Sequence, residues 1–273
     1  MTAVKKWWLS RTVENLVFGT INTLLALFIE KTGFSKRVFD FYGRILPLPK
    51  TIIRGVPIKV IMPLNEVGVY NTFKQWEERE PEVLDWIDSF EKDCIFFDVG
   101  ASFGTETLYA ALKKDGPKKI IAFDLALQSS FNLAYNLSLN NIQNVDQYYL
   151  ALSDGLKTHT FSEPTQYYFV ENREKYDFVS YKTISISMDQ FIDMTHIFPD
   201  YLKIDVDGAE QNVIAGMAKT VGDARLRSVV IEVDGQSEPA ITDFFHRAGF
   251  IITYEHRLEE EGAGFKNLIF TRK

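Results

Sequence analysis

The segment that decides the fold runs from Cys94 to Leu108 and reads CIFFDVGASFGTETL. It begins as a continuous apolar run, the pattern of a strand that is buried on both faces, and leads directly into a helix. Gly100 and Gly104 lie between the two, where glycine lets the backbone approach a ligand closely and the helix supplies free N–H groups. The segment therefore predicts a strand, a turn and a helix, with a candidate ligand site at the turn.

The same alternation continues to the end of the chain. The strand-like segments are KIIAFDL, VDQYYLAL, YLKIDVDG, RSVVIEVDG, IITYEHR and KNLIFTR, and the helix-like segments are SSFNLAYNLSLNN, AEQNVIAGMAKT and ITDFFHRAGF. Several of the strands are uninterrupted apolar runs, as expected when helices cover both faces of a parallel sheet. We therefore predict an α/β catalytic domain over residues 78–273.

Residues 1–77 are predicted to form an N-terminal extension. Residues 12–30 have helical apolar spacing, and the stretch TIIRGVPIKVIM predicts two short strands around Arg54 and Gly55. The uncharged part of the helix is shorter than the roughly 20 residues that span a bilayer. A further helix is predicted from Pro81, because proline suits the first helical position.

Charge is distributed unevenly along the chain. Residues 1–60 contain ten Lys or Arg against three Asp or Glu, a net charge of +7, which leaves −14 for the rest of a chain whose total is −7. A basic segment on an acidic body predicts an anionic partner, either a membrane or an acidic glycan. Nucleic acid is disfavoured as a partner, because the acidic body would repel it.

Trp7 and Trp8 lie beside basic residues, a combination typical of a membrane interface. We therefore predict peripheral contact of residues 1–45 with an anionic membrane. The apolar spacing of the helix at 12–30 fits equally well with packing on its own catalytic domain, or on a second subunit of a homo-oligomer. Cys94 is the only cysteine, so no intrachain disulfide can form, and its thiol is predicted to be buried and inert. This favours a reducing, cytoplasmic location, which would be at the inner face of the membrane if the membrane contact forms.

Acidic residues lie at the ends of two predicted strands. Asp124 ends the second strand, where a carboxylate can hold a ribose diol with two hydrogen bonds. Asp205 and Asp207 lie towards the end of the predicted strand YLKIDVDG, and their carboxylates would share one face if the strand stayed extended through them. Such a cluster suits a general base, a contact to a cofactor amine or a metal site, although the start of a helix also favours acidic residues.

In this order the motifs resemble those of the FkbM family of methyltransferases. The runs that carry the resemblance are FFDVGASFGTETL, IIAFDLALQSSFNLAYNLSLNN, YLKIDVDGAEQNVIAGM, RSVVIEVDG with HRAGF, and upstream EEREPEVLDWID. The resemblance covers residues 78–273. It implies a class I Rossmann-like fold with a mostly parallel sheet and an antiparallel final strand.

The resemblance also implies S-adenosylmethionine as cofactor and methyl transfer to a hydroxyl of a sugar, glycolipid or natural-product acceptor. The cofactor-binding residues that it implies are Asp98, Gly100, Ala101, Ser102, Phe103, Gly104, Thr107, Asp124, Leu125 and Asp205. The family usually has Glu-Pro where this chain has Asp124-Leu125. Asp is shorter by one methylene, and without proline the turn is no longer fixed.

The reaction needs an oxygen nucleophile held in line with an activated methyl group, and a sugar hydroxyl benefits from a base. Asp205 is the first candidate for that base. Asp207 and Glu232 are candidate helpers or ligands of Mg²⁺, a metal whose requirement the sequence leaves open.

Two alternatives remain open at this point. Residues 100–104 also match GxSxG, the nucleophile elbow of α/β-hydrolases, with Ser102 as nucleophile followed by Asp205 and then His246 or His256. This hydrolase hypothesis leaves Asp98 and Asp124 unexplained. The other alternative is a nucleotide-binding module without catalysis. An NAD-linked oxidoreductase fits less well, because Ser102 interrupts the glycine pattern.

Overall fold

The computed structural model describes residues 50–60, 67–165, 177–257 and 264–273. The predicted helix at 12–30 and the predicted membrane contact of residues 1–45 lie outside these ranges and stay predictions. No helix within the described ranges is long and apolar enough to cross a membrane.

The described chain alternates strands and helices. The strands are β1 (Lys50–Ile53), β2 (Val56–Lys59), β3 (Ile95–Val99), β4 (Lys119–Asp124), β5 (Val145–Tyr149), β6 (Ala151–Leu152), β7 (Lys157–Thr165), β8 (Asp177–Ile186), β9 (Tyr201–Ile204), β10 (Ser228–Val233), β11 (Phe250–Arg257) and β12 (Lys266–Arg272). The helices are α1 (Val67–Arg79), α2 (Pro81–Asp88), α3 (Thr105–Leu112), α4 (Leu127–Leu139), α5 (Met188–Thr195), α6 (Glu210–Ala215), α7 (Ala218–Gly222) and α8 (Glu238–Arg247).

The central sheet has seven strands in the order β11-β12-β10-β9-β3-β4-β5. The pairs from β10 through β9, β3 and β4 to β5 are parallel, and β12 is antiparallel to both of its neighbours. The prediction of a mostly parallel sheet with an antiparallel final strand is confirmed. The strand order reverses between β3 and β9, and ligands of open α/β sheets bind at the carboxyl ends of the strands on either side of such a reversal.

Helices cover both faces of this sheet, as the apolar strands require. Adjacent residues of one strand point to opposite faces, so that Phe96 belongs to one buried cluster and Phe97 to the other. Trp86 of α2 packs in the same cluster as Phe96 and donates from Nε1 to Ser228 Oγ at 2.9 Å. Cys94 is also buried there, and burial raises the pKa of its thiol to about 11, which agrees with an inert role.

Three parts of the chain differ from the predicted elements. The single predicted strand VDQYYLAL is divided into β5 and β6, because β6 pairs with β8 in a separate three-stranded sheet. The single predicted helix AEQNVIAGMAKT is divided into α6 and α7 at Gly216, where a side chain would collide with the Ser153 carbonyl oxygen. The long hairpin β7–β8 and helix α5 were not predicted at all.

The hairpin β1–β2 forms as predicted, but it belongs to the catalytic domain. Lys59 N donates to Asn140 Oδ1 at 2.9 Å, and Asn140 Nδ2 donates back to the Lys59 carbonyl at 2.7 Å. The predicted boundary between residues 77 and 78 also falls inside α1. Among the described residues, the hairpin and α1 belong to the same compact unit as the central sheet.

Candidate active site

A cleft of about 640 Å³ opens at the carboxyl ends of the strands beside the strand-order reversal. This volume lies within the roughly 300–1,000 Å³ that small-molecule sites occupy. Of the predicted site residues, the cleft is lined by Gly100, Ser102, Phe103, Asp124, Leu125, Asp205, Asp207 and Glu232. A second cavity, of about 450 Å³, lies beside α2 at the amino ends of β9 and β10 and contains none of the predicted residues.

The turn between β3 and α3 is held in a left-handed backbone conformation. Gly100, Ser102 and Gly104 all have positive φ, at 83°, 48° and 94°. The Gly100 position also has no room for a side chain, because an added Cβ would lie 1.6 Å from the Asp205 carbonyl oxygen. Gly100 is therefore required for packing of the turn against the end of β9, in addition to any approach of a ligand.

Asp124 joins the end of β4 to this turn. Its Oδ2 accepts from Ser102 N at 2.8 Å, and its Oδ1 accepts from Ala126 N at 2.7 Å. Burial raises the pKa of Asp124 to about 6, and the two N–H donors oppose the rise. Each carboxylate oxygen keeps a second lone pair, so the group can still accept hydrogen bonds from a ligand in the cleft.

The turn after Asp124, which lacks the proline usual in the family, is held by Tyr181 of β8. The Tyr181 hydroxyl donates to the Leu125 carbonyl at 3.0 Å and accepts from Leu127 N at 3.0 Å. Leu127 begins α4, whose N-cap, Ala126, offers no side-chain acceptor for the free N–H groups of the first turn. A hydroxyl from the small sheet therefore orders the chain beside Asp124.

Replacing Tyr181 with phenylalanine removes both hydrogen bonds and keeps the ring. Each hydrogen bond contributes about 0.5–1.5 kcal/mol. Part of this free energy stabilises the folded protein and part orders the turn for the ligand, so we expect Tyr181→Phe to weaken nucleoside cofactor binding by roughly three- to tenfold. Titration calorimetry with S-adenosylhomocysteine measures the change. Tyr135→Phe, at an exposed position of α4 that does not line the cleft, is the matched control. Equal affinities of the two variants would contradict the role of Tyr181.

The floor of the cleft contains a buried ionic cluster around Lys203. Its Nζ lies 2.8 Å from Asp205 Oδ2 and 3.4 Å from Glu106 Oε1. Burial lowers the pKa of Lys203, but the carboxylates of Asp205 and Glu106 outweigh it and hold that pKa well above its ordinary value. The ammonium therefore stays charged and fixes one oxygen of Asp205 at the edge of the cleft.

Asp98 and Thr107 lie beneath the cleft rather than in its wall. Both side chains are fully buried, and Thr107 Oγ1 donates to Asp98 Oδ2. Burial raises the pKa of Asp98 to about 7, against the opposing effect of Lys203. Ala101 and Gly104 are likewise absent from the lining. As cofactor contacts these four residues stay predictions, and in the structure they support the turn.

The extended arrangement considered for Asp205 and Asp207 does not form. Strand β9 ends at Ile204, and Asp207 has a positive φ of 50°, so alternation along a strand does not place the two carboxylates. Both still line the cleft, together with the buried Glu232 at the end of β10. Within the described ranges, no group of three or more His, Cys, Asp or Glu side chains is arranged to hold a metal ion, so Mg²⁺ is not supported.

The hydrolase alternative is not supported by the positions of the histidines. His246 is exposed on α8 beside the Phe270 ring, and His256 Nδ1 faces Glu82 Oε2 at 3.5 Å. Neither residue lines the cleft that contains Ser102. The histidine that does line it, His159, shares a hydrogen bond with Ser185 Oγ at 2.8 Å. No described residue therefore completes a Ser-His pair at the turn.

Several residues of the cleft were missed by the sequence analysis. They are Trp76, Arg79, Glu80, Glu106, His159 and Lys203. Lys203 could have been found, because it is a lone charge inside the apolar strand YLKI. The others lie on α1, between α1 and α2, on α3 and in the small sheet, and nothing in their local sequence shows that these parts meet at the cleft.

The sheet order, the glycine turn and the acid at the end of the next strand together define a Rossmann-like protein that binds a nucleoside cofactor. Within that class, the methyltransferase FkbM domain model matches residues 98–252, more than half of the chain. The chain belongs to the FkbM methyltransferase family. The family implies S-adenosylmethionine as methyl donor.

The chain is similar in fold to solved structures that are distant from it in sequence. The chain is similar to a methyltransferase FkbM from Methylobacillus flagellatus KT, with 14% identity and a TM-score of 0.47 over 77% of this chain and 56% of that one. It is also similar to the ribosomal protein L11 methylase from Lactobacillus delbrueckii subsp. bulgaricus, with 16% identity and a TM-score of 0.44 over 72% and 79% of the two chains. For precorrin-6y C5,15-methyltransferase from Geobacter metallireducens GS-15 the identity is 14% and the TM-score 0.45, over 72% and 88%. No curated protein matches the sequence.

Proposed function

We propose that the protein transfers a methyl group from S-adenosylmethionine to a hydroxyl of a sugar, glycolipid or natural-product acceptor. The observation that carries this proposal is the charge of the cleft. Six acidic side chains line it, namely Glu80, Glu106, Asp124, Asp205, Asp207 and Glu232, and two cationic ones, Arg79 and Lys203. Burial raises the pKa of Glu80 to about 9, so five carboxylates remain against the two cations at neutral pH. Such an excess favours a ligand with positive charge, and S-adenosylmethionine has a sulfonium and an ammonium group.

The residues of the cleft fit this cofactor. Asp124 keeps acceptor capacity for a ribose diol, and the turn at Gly100 brings backbone close to the neighbouring part of the ligand. Glu106 Oε1 is buried without a hydrogen-bond donor among the described residues, and the Lys203 ammonium lies 3.4 Å from it. A buried acceptor in that state is suited to a donor from a bound ligand.

In the proposed mechanism, S-adenosylmethionine supplies an activated methyl group on its sulfonium. Asp205 lies at the end of β9 beside the strand-order reversal, and Lys203 fixes its Oδ2. Asp205 orients the acceptor hydroxyl and takes its proton as the oxygen is alkylated. Asp207 and Glu232 line the same part of the cleft and favour neutral, hydroxyl-rich acceptors, which can donate hydrogen bonds to carboxylates.

The acidic cleft disfavours a nucleic acid acceptor. Phosphate groups would be repelled by the same carboxylates that suit a cationic cofactor. Some structural neighbours are described as methylases of rRNA or of a ribosomal protein, but the proposal for this chain rests on its own charge distribution. A hydroxyl acceptor without formal charge is the class that the cleft suits best.

Cofactor binding is tested by removing the ribose contact. We expect Asp124→Ala to lose about 1–3 kcal/mol of binding free energy, a rise in Kd of roughly 5- to 150-fold, because the carboxylate accepts ligand hydroxyls and also holds the turn through Ser102 N. Titration calorimetry with S-adenosylmethionine measures it.

The pH dependence gives a second measurement of the same group. With the pKa of Asp124 near 6, wild-type affinity should fall as pH decreases from 7 to 5, since the protonated carboxyl loses acceptor capacity. The fall should be smaller in Asp124→Ala. Tight binding of NAD with no response to S-adenosylmethionine would overturn the proposed function.

A further inference from the structure

The wall of the cleft formed by α1 presents hydrogen-bond donors, in contrast to the carboxylates elsewhere. Thr72, Trp76 and Arg79 lie on one face of this helix at spacings of four and three residues, and all three line the cleft. They offer a hydroxyl, an indole N–H and a guanidinium, whose Nε also lies 3.7 Å from Glu80 Oε1. The Arg79 Cζ atom lies 5.7 Å from the centre of the Trp76 ring, so the two side chains form one donor surface.

Trp76 has a buried polar atom that its surroundings leave unsatisfied. The residue is 6% exposed, and its Nε1 has no hydrogen-bond partner in the described part of the chain. Indole N–H groups can only donate, and buried ones usually find an acceptor. An acceptor atom supplied by a ligand would satisfy this donor.

A matching acceptor lies elsewhere in the same cleft. Glu106 is 2% exposed, its Oε2 accepts from Thr105 Oγ1 at 2.6 Å, and its Oε1 has no hydrogen-bond donor among the described side chains. The cleft therefore combines a buried donor without a partner among the described residues and a buried acceptor that has an ion-pair contact, to Lys203 Nζ at 3.4 Å, but no hydrogen bond among them. An amino-acid group, with one carboxylate and one ammonium, complements both.

We propose that Trp76 Nε1 and the Arg79 guanidinium bind the α-carboxylate of the methionine part of the cofactor, and that Glu106 binds its ammonium group. This inference rests on the proposed function, since it concerns the same cleft. A guanidinium beside an indole N–H gives charge-assisted hydrogen bonds to a carboxylate. The position of these residues on α1 makes this helix part of the cofactor site, although it precedes the glycine turn by about twenty residues.

The test compares two ligands that differ only in the carboxylate. S-adenosylmethionine has it, and decarboxylated S-adenosylmethionine keeps the adenosine, the sulfonium and the amine. We expect Trp76→Phe to raise the Kd of S-adenosylmethionine about tenfold and to leave the Kd of the decarboxylated ligand within about twofold. Glu106→Gln should weaken both ligands, because both retain the ammonium. Trp86→Phe is the matched control, since that indole bonds Ser228 outside the cleft and should not change the ratio.

The outcomes separate this inference from the proposed function. If wild-type protein binds neither ligand, the proposed function fails. If it binds S-adenosylmethionine but Trp76→Phe weakens both ligands equally, Trp76 only packs and the carboxylate site is wrong. The wild-type protein gives a check that needs no variant, because it should prefer S-adenosylmethionine over the decarboxylated ligand by more than tenfold. Equal affinities would overturn the inference even if Trp76→Phe fails to fold.

Discussion

Gly100→Ala is expected to lose more than about 4 kcal/mol of stability or to abolish ligand binding in the cleft. Two effects add at this position. The backbone has a φ of 83°, which L-residues adopt only with strain, and the new methyl group would lie 1.6 Å from the Asp205 carbonyl oxygen. That atom belongs to the backbone, so relief requires moving the end of β9, and with it the Asp205 carboxylate.

Gly249→Ala separates backbone strain from the collision. Gly249 has a similar φ of 86°, but an added Cβ there meets no atom within 4 Å. We expect it to cost about 1–2 kcal/mol and to leave cofactor affinity unchanged. Urea unfolding and calorimetry on the two variants measure both quantities. Equal losses of stability would show that the contact with Asp205 is unimportant.

Asp205→Asn is expected to reduce methyl transfer by about 10²–10⁴-fold, the range that general base catalysis contributes. The amide keeps the size of the side chain but cannot take a proton, and it weakens the contact with Lys203. Transfer is measured with the first hydroxylated acceptor that the wild-type protein methylates. S-adenosylmethionine binding and the melting temperature show whether the site survives the change.

Asp207→Asn is the control for this second prediction. Asp207 is an exposed residue that also lines the cleft, and its substitution should reduce methyl transfer much less than Asp205→Asn does. Ser102→Ala tests the alternative in which the serine is the catalytic group. If that variant abolishes activity while Asp205→Asn does not, the base is misassigned and the chemistry belongs to the serine.

Local sequence predicted the parts of the site that lie where strands end. Strand β3, its glycine turn and the acid at the end of β4 are adjacent in the chain, so apolar runs and glycines placed them correctly. The parallel sheet also followed from those runs. The residue after Asp124 was predicted to leave the turn less fixed, and the structure shows Tyr181 holding it from 56 residues away.

The rest depended on contacts between distant segments. Strand β7 contains mostly polar residues, in KTHTFSEPT, and it forms through pairing with β8 rather than through an apolar pattern. The cluster at the cleft floor joins Lys203 of β9 to Glu106 of α3, which no spacing within one segment encodes. Trp76 was missed for the same reason, since no helix was predicted over residues 67–79.

The small sheet formed by β6, β7 and β8 has a consequence for how members of this family can diverge. It stands outside the seven-stranded sheet and contributes His159 and Phe161 to the cleft wall, so remodelling it would change the space offered to an acceptor. The same sheet carries Tyr181, which orders the chain beside Asp124, the proposed ribose contact. A new acceptor preference gained by changing this sheet would therefore also alter cofactor affinity, and selection would act on the two traits together.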